Sequence, residues 1–127
     1  MRQRTLRVLL VDDEISMIKV FTKRLEVAGY EVIAAADGEE ALAKVASEHP
    51  DMVILDIMLP KLNGYEVCKK LKQDPATEHI PVLMFTAKSQ PQEYVAGMLF
   101  GADAYLNKSC DPKDLLEQVR ALLRKSA

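Results

Sequence analysis

The chain has no tryptophan, only 6% aromatic residues and just two cysteines in 127 residues. Cys68 and Cys110 are too few for a disulfide framework and neither sits in a Cys-x-x-Cys pair, so both read as ordinary thiols in a reducing compartment. Charge of one sign is also missing: 17 Lys+Arg stand against 19 Asp+Glu for a net −2. That balance leaves no cationic excess for a nucleic-acid or polybasic membrane role. Long apolar runs are absent too. The longest, residues 94–104, is interrupted by Gly97, Gly101 and Asp103, and falls well short of the roughly 20 residues that cross a bilayer. Met1-Arg2-Gln3-Arg4 is basic, but only short strand-like stretches follow it, so it does not form a signal peptide. The expectation is a cytoplasmic protein. What is present, 49% apolar and 28% charged residues with 5 Gly and 6 Pro, suits a single globular domain over residues 1–127 that folds without staples.

Short apolar runs at 6–11, 31–35, 52–55, 81–85 and 104–106 read as strands. Three are almost wholly apolar, as expected of strands covered on both faces of a parallel sheet. Helical spacing fills most of the intervals. Ile18, Phe21, Leu25 and Ala28 share one face before a stop at Gly29, whose lack of a Cβ suits a left-handed cap. Asp37-Gly38-Glu39-Glu40 resembles a capping box for a helix that buries Ala41, Leu42, Val45 and Ala46. A third helix starts near Gly64, buries Val67 and Leu71, and ends before Asp74-Pro75. A fourth, around residues 92–100, carries Val95, Met98 and Leu99, with Gly97 inside it costing about 1 kcal/mol relative to Ala. For the last, Asp111 is the N-cap and Pro112 the first residue, and Leu115, Val119, Leu122 and Leu123 form one face.

Five β-α units joined by short right-handed crossovers predict an α/β, flavodoxin-like (βα)5 doubly wound sandwich. Its five parallel strands run in the order 2-1-3-4-5 with helices on both faces. Sites in such sheets form at the carboxyl ends of the strands, where strand order reverses. Asp12, Asp13 and Glu14 follow the first apolar run, Asp56 the third, Thr86 the fourth and Lys108 the fifth. Strands one and three are neighbours in this order, so Asp12, Asp13 and Asp56 converge. Three carboxylates in one pocket need a raised pKa or a cation, and an all-oxygen donor set suits Mg²⁺. With an ammonium at Lys108 and a hydroxyl at Thr86, the cluster is shaped for a phosphoryl group that an aspartate can accept. Asp56, alone after its strand, is the choice for nucleophile, whereas the adjacent Asp12 and Asp13 suit a metal.

At this point a family likeness covers nearly the whole chain. The sequence resembles the receiver domain of two-component response regulators, the CheY-like superfamily. The matching pieces are Leu9-Leu10-Val11-Asp12-Asp13-Glu14, Leu55-Asp56-Ile57-Met58-Leu59-Pro60, Asn63-Gly64, Phe85-Thr86-Ala87, Gly101-Ala102-Asp103-Ala104-Tyr105 and Leu106-Asn107-Lys108. They keep intervals of 43 residues from Asp13 to Asp56, 30 on to Thr86 and 22 more to Lys108. The resemblance implies that Asp56 is the phosphoacceptor. It also implies that Asp13, Asp56 and the Met58 backbone carbonyl ligate Mg²⁺ (Mn²⁺ substituting), with Asp12 acting mostly through water. Thr86, Ala87 and Lys108 would surround the phosphoryl group, and Tyr105 would be the switch aromatic. The implied donor is a phosphohistidine on a sensor histidine kinase or phosphotransfer protein. The implied output is a shift of the face formed by the fourth helix, fifth strand and fifth helix. That face would act on an effector protein or an output domain missing from this chain, with a phosphorylation-dependent dimer as one form. Such a switch supports its own phosphorylation and slow dephosphorylation without being a turnover enzyme.

One departure stands out. The family usually has proline after the strand-five lysine, where this chain has Ser109 and then Cys110. The position of Lys108 is therefore a test of the likeness. Met58 and Lys88, two residues after Asp56 and Thr86, occupy places that tune phosphoryl lifetime in the family. His49 and His79 fall in loops at the opposite rim and read as surface residues. The competing function is a Mg²⁺-dependent phosphohydrolase with an aspartyl-phosphate intermediate. It needs an acid two residues after its nucleophile, a place held by Met58 after Asp56 but by Glu14 after Asp12.

Overall fold

The computed structural model describes residues 4–87 and 101–126. The expected fourth helix around 92–100, with Gly97, and Lys88 lie outside the described residues. The order is β1 (Arg7–Val11), α1 (Ile15–Val27), β2 (Glu31–Ala35), α2 (Gly38–Glu48), β3 (Met52–Leu55), α3 (Gly64–Gln73), β4 (Val82–Thr86), β5 (Ala104–Asn107) and a C-terminal helix (Pro112–Ser126). All four strand pairings are parallel, in the order β2-β1-β3-β4-β5. This is the doubly wound, flavodoxin-like sheet that the alternation predicts.

The near-continuous apolar strands are explained by a core on each face. Along β1, Leu9 and Val11 point to the side covered by α2 and α3, while Val8 and Leu10 point to the side covered by α1 and the C-terminal helix. Val53, Leu55, Val82 and Met84 join the first side, and Met52, Ile54, Leu83 and Phe85 the second. The period of two in a strand sends alternate residues to opposite faces, so a strand buried on both sides has no position for a polar residue until it ends. On the second side Phe21 of α1 meets Phe85 edge-on, with ring centroids 5.0 Å apart.

The helix boundaries follow local chemistry. α1 closes on Gly29, whose φ of 101° is the left-handed geometry expected of it. Ala28 is the C-cap and exposed, so the buried face of α1 is Phe21 and Leu25 with Ile18 half-buried. In α2, Asp37 accepts from the Glu40 amide at 2.8 Å, but the Glu40 carboxylate reaches the amide of Ala36, one residue before the capping-box position. Ala41 and Val45 are buried there, whereas Ala46 is exposed, because it falls on the solvent side of the helix. α3 has the complete capping box, Asn63 with Glu66, which the Asn-Gly-Tyr-Glu spelling encodes. The C-terminal helix buries Leu115, Val119, Leu122 and Leu123 as expected, and Asp111 accepts from the Lys113 amide at 3.1 Å.

At the rim opposite the strand tips, Asp51 ties the start of the chain to the sheet. It accepts from the Arg7 amide at 2.8 Å and from both terminal nitrogens of Arg4. Burial works to raise the Asp51 carboxyl, but the hydrogen bonds from Arg4 and Arg7 outweigh it and hold the group below the usual carboxylate range. A depressed folded-state pKa contributes stability that is present above the unfolded value and is lost as pH falls through the folded one. In urea titrations, Asp51→Asn should therefore be less stable at neutral pH by about 1 kcal/mol. The gap should close as pH drops below the ordinary aspartate range.

Candidate functional site

The strand tips do meet. Asp12 follows β1 with its amide donating to the Ala35 carbonyl at 3.1 Å, and Asp56 follows β3 with its amide donating to Val11 at 3.1 Å. These bonds continue the sheet ladder by one residue, so both carboxylates leave the sheet where pairing stops. Asp12 and Asp56 are 4% and 5% exposed, while Asp13 faces solvent. One oxygen from each of Asp12, Asp13 and Asp56 lies within 4.8 Å of the others. That spacing and the all-oxygen donor set fit one small divalent cation such as Mg²⁺.

Lys108 completes the centre. Its Nζ lies 2.6 Å from Asp12 Oδ2 and 2.8 Å from Asp56 Oδ2, with Glu14 Oε1 at 3.7 Å. The side chain is only 8% exposed. Burial alone would make the ammonium easier to deprotonate, but the hydrogen bonds to Asp12 and Asp56 prevail, and its pKa rises above the usual lysine value. Burial lifts the Asp12 carboxyl above its ordinary value, and the Lys108 ammonium and the Glu14 amide, at 2.9 Å, oppose that rise. The Lys108–Ser109 peptide is trans. Lys108 reaches both carboxylates without the proline that usually follows it in the family, because its own amide donates to the Thr86 carbonyl at 2.8 Å and sets its direction.

A cleft of about 370 Å³ opens beside this centre, lined by Asp13, Glu14, Asp56, Met58, Thr86, Ala87 and Lys108. Thr86 is fully buried at the end of β4, and Ala87 sits beyond it at the surface. Met58 is 60% exposed on the rim, and its amide points at Asp56 Oδ1 from 3.4 Å. Tyr105 stands half-buried in β5, paired in register with Met84 and packed against the core beneath α2 and α3; it is not on the cleft wall. His49 and His79 are exposed, and both line a separate cleft at the opposite rim. Cys110 is half-buried against the second core, and burial, with Asp114 and Asp111 nearby, raises its thiol pKa.

Two glycines that the sequence places only at helix starts fix the loop carrying Asp56 and Met58. A Cβ on Gly64 would overlap the Asp56 carbonyl oxygen, and one on Gly38 the Leu62 carbonyl oxygen. Gly64 also donates its amide to the Ile57 carbonyl at 2.8 Å. The loop after β3 is thus pressed against the first turns of α2 and α3. Nothing in the linear pattern marks this contact beyond the glycines themselves.

The chain is thus an open parallel α/β domain with an acidic, lysine-capped cleft at its strand tips, and comparison with known proteins identifies its family. The family model for the response regulator receiver domain matches residues 8–120, and the chain belongs to that family. It is similar to the alkaline phosphatase synthesis transcriptional regulatory protein PhoP of Bacillus subtilis, with 47% identity over 120 residues, taking in 94% of this chain and 49% of the relative. The DNA-binding dual master transcriptional regulator RpaA of Synechocystis is 43% identical, over 94% of this chain and 50% of that one. The chain thus spans about half the length of the curated relatives it matches. Among solved structures, the chemotaxis response regulator CheY4 of Vibrio cholerae aligns with a TM-score of 0.87 and 35% identity, over 94% of this chain and 99% of that one. A CheY-like receiver domain protein from Methanospirillum hungatei aligns at 0.90 and 32%, over 97% of each. The chain is a receiver domain of the two-component response-regulator type. Among the described residues no helix is long and apolar enough to cross a membrane.

The ion cluster yields a stability prediction. Replacing Lys108 by Met leaves two buried carboxylates without their cation, so the variant should lose about 3 kcal/mol or more at pH 7.5. Uncompensated carboxylates bind protons more readily in the folded state, so the deficit should shrink toward pH 5. Denaturant midpoints of both proteins across that range check the size and the slope.

Proposed function

We propose that the chain is a phosphoacceptor switch in which Asp56 accepts a phosphoryl group from a phosphohistidine on a sensor histidine kinase or phosphotransfer protein. The observation that carries this reading is the Asp56 carboxyl held at a cleft, bonded to Lys108 and within reach of the Asp12 and Asp13 oxygens. An Asp56 oxygen attacks phosphorus as the P–N bond to the donor imidazole breaks, and the electron pair leaves on that nitrogen, which is then protonated. Asp12, Asp13 and Asp56, with the Met58 carbonyl, would hold Mg²⁺ or Mn²⁺. The bound ion would neutralise phosphoryl oxygens as charge gathers on them.

The protein's own groups carry the rest. Lys108 already bonds the acceptor carboxylate and is placed to follow its new oxygens. The phosphoryl group adds roughly −1.5 to −2 charge and three acceptor oxygens. These reward a state in which the Thr86 hydroxyl and the Ala87 end of β4 close on Asp56, with Tyr105 repositioned beside them. A two-state shift of the surface around β5 and the C-terminal helix then reports the modification to an effector, or to a DNA-binding output domain of the kind that transcriptional-regulator relatives suggest. The residue two positions after Asp56 is Met58, which has no proton to give or take, and this favours a switch over a hydrolase working from Asp56.

Incubation with Mg²⁺ and acetyl phosphate, read by intact mass, tests the reading. One phosphoryl group should appear on the wild type, none on Asp56→Asn, and none when a chelator replaces Mg²⁺. Modification that persists in Asp56→Asn would move the nucleophile elsewhere. Calorimetry adds a second expectation. Because the Lys108 ammonium bonds Asp12 and Asp56 and competes with a cation for them, Lys108→Met should bind Mg²⁺ several-fold more tightly while being phosphorylated poorly.

A further inference from the structure

The sheet directs the chain only as far as the entry to Lys108. β5 ends at Asn107, and the Lys108 amide donates to Thr86 as the last bond of that ladder. Among the described strands β5 is the edge of the sheet, with β4 as its single neighbour. The exit from Lys108 is held by Asn107 itself. Its carbonyl accepts from the Cys110 amide at 3.0 Å, which closes a four-residue turn with Lys108 and Ser109 at its centre. Its side-chain Oδ1 accepts from the Ser109 amide at 2.8 Å and from the Ser109 hydroxyl at 2.6 Å. Asparagine at the first position of a turn, bonding the amide two residues on, fixes the backbone of the residue between them. Such turns are common. The unusual feature here is the residue so fixed, because the Lys108 ammonium meets Asp12 and Asp56 at the end of a side chain only 8% exposed.

We propose that Asn107 is a positioning residue for phosphoryl acceptance, aiming Lys108 at Asp56 through the turn that its carboxamide closes. The inference rests on the switch reading above and extends it to a side chain that is not among the described residues lining the cleft. A four-carbon stem in open water reaches its target from many backbone directions. One that is enclosed by packed neighbours has little room to find another route, so the turn decides where the ammonium lands. The Asn107 Nδ2 faces the Ala87 carbonyl from 3.5 Å, which is too long to contribute much. The oxygen of the carboxamide therefore carries the effect, and it does so in a chain whose residue after the lysine is serine, with an amide to donate. Loosening the turn has two consequences of opposite sense. Phosphoryl acceptance slows because the cation beside Asp56 is displaced, while Mg²⁺ binds better because the same cation competes less for Asp12 and Asp56. General damage to the site would weaken both.

The test uses the full chain and pairs the rate of phosphoryl uptake from acetyl phosphate, followed by intact mass, with calorimetry of Mg²⁺ binding. Asn107→Ala should be phosphorylated about tenfold or more slowly, yet bind Mg²⁺ about twofold or more tightly. Asn107→Asp keeps an oxygen for the Ser109 amide and should stay within about threefold of the wild-type rate. Asn107→Ser, with a weaker turn-forming hydroxyl, should fall between Asn107→Asp and Asn107→Ala. Adding Asn107→Ala to Lys108→Met should change neither readout, because the turn then has no ammonium to aim. Uptake by Asn107→Ala at the wild-type rate would overturn the proposal. Slower uptake together with weaker Mg²⁺ binding would overturn it as well, in favour of a generally loosened site. So would a Mg²⁺ affinity that shifts as much when Asn107→Ala is added to Lys108→Met as when it is added to the wild type. If the wild type takes up no phosphoryl group, the switch reading fails instead, and the Mg²⁺ affinities of the single and double variants still decide whether Asn107 aims Lys108.

Discussion

One buried ammonium organises the acidic end of this molecule. Asp12 and Asp56 are almost fully removed from water, and each buried ion carries a desolvation cost of several kcal/mol. Lys108 meets both at hydrogen-bond distance, so one cation offsets two buried carboxylates. That contact depends on every strand between them. β1 and β3 must be neighbours for the carboxylates to meet, and β4 and β5 must follow in register for Lys108 to reach across. In the proposed switch, Asp56 is thereby sheltered from bulk water yet still borders the open cleft.

The rigidity behind that arrangement comes from packing on two sides. Alternate residues of β1, β3 and β4 enter separate cores under different helix pairs, so a strand cannot slide or roll without emptying one core and overfilling the other. The loop after β3 is held differently, by backbone pressed on backbone where Gly38 and Gly64 leave room. Asp56 therefore sits between a strand packed on both faces and a clamped loop.

Much of this was legible in the linear chain, for identifiable reasons. Apolar runs that end abruptly in Asp12, Asp56, Thr86 and Lys108 encode buried strands and the rim where chemistry collects, and of the two common strand orders for β-α alternation the flavodoxin-like one suits five strands. Helix faces were less legible at their margins. Ala28 and Ala46 fit an apolar stripe by spacing yet face solvent, because alanine is small enough to sit on either side of the boundary. The Gly38 and Gly64 contacts could not be read because they join segments distant in sequence through main-chain atoms. The likeness to a family with proline after its lysine made the reach of Lys108 an open question. The Lys108–Thr86 backbone bond answers it with a contact that no side-chain pattern announces.

The position of Lys108 also bears on how the molecule comes into being on the ribosome. Both carboxylates it neutralises come far earlier in the chain, yet the neutralising group directly follows the edge strand β5, the last strand of the sheet to be made. Synthesis delivers both acids at least a few seconds before the base at typical elongation speeds. Through that interval the emerging sheet cannot bury its two charges and must leave them wet. Closure of the acidic end is thus coupled to synthesis of the fifth strand and the lysine after it, and a nascent fragment lacking them has no means of shutting it early.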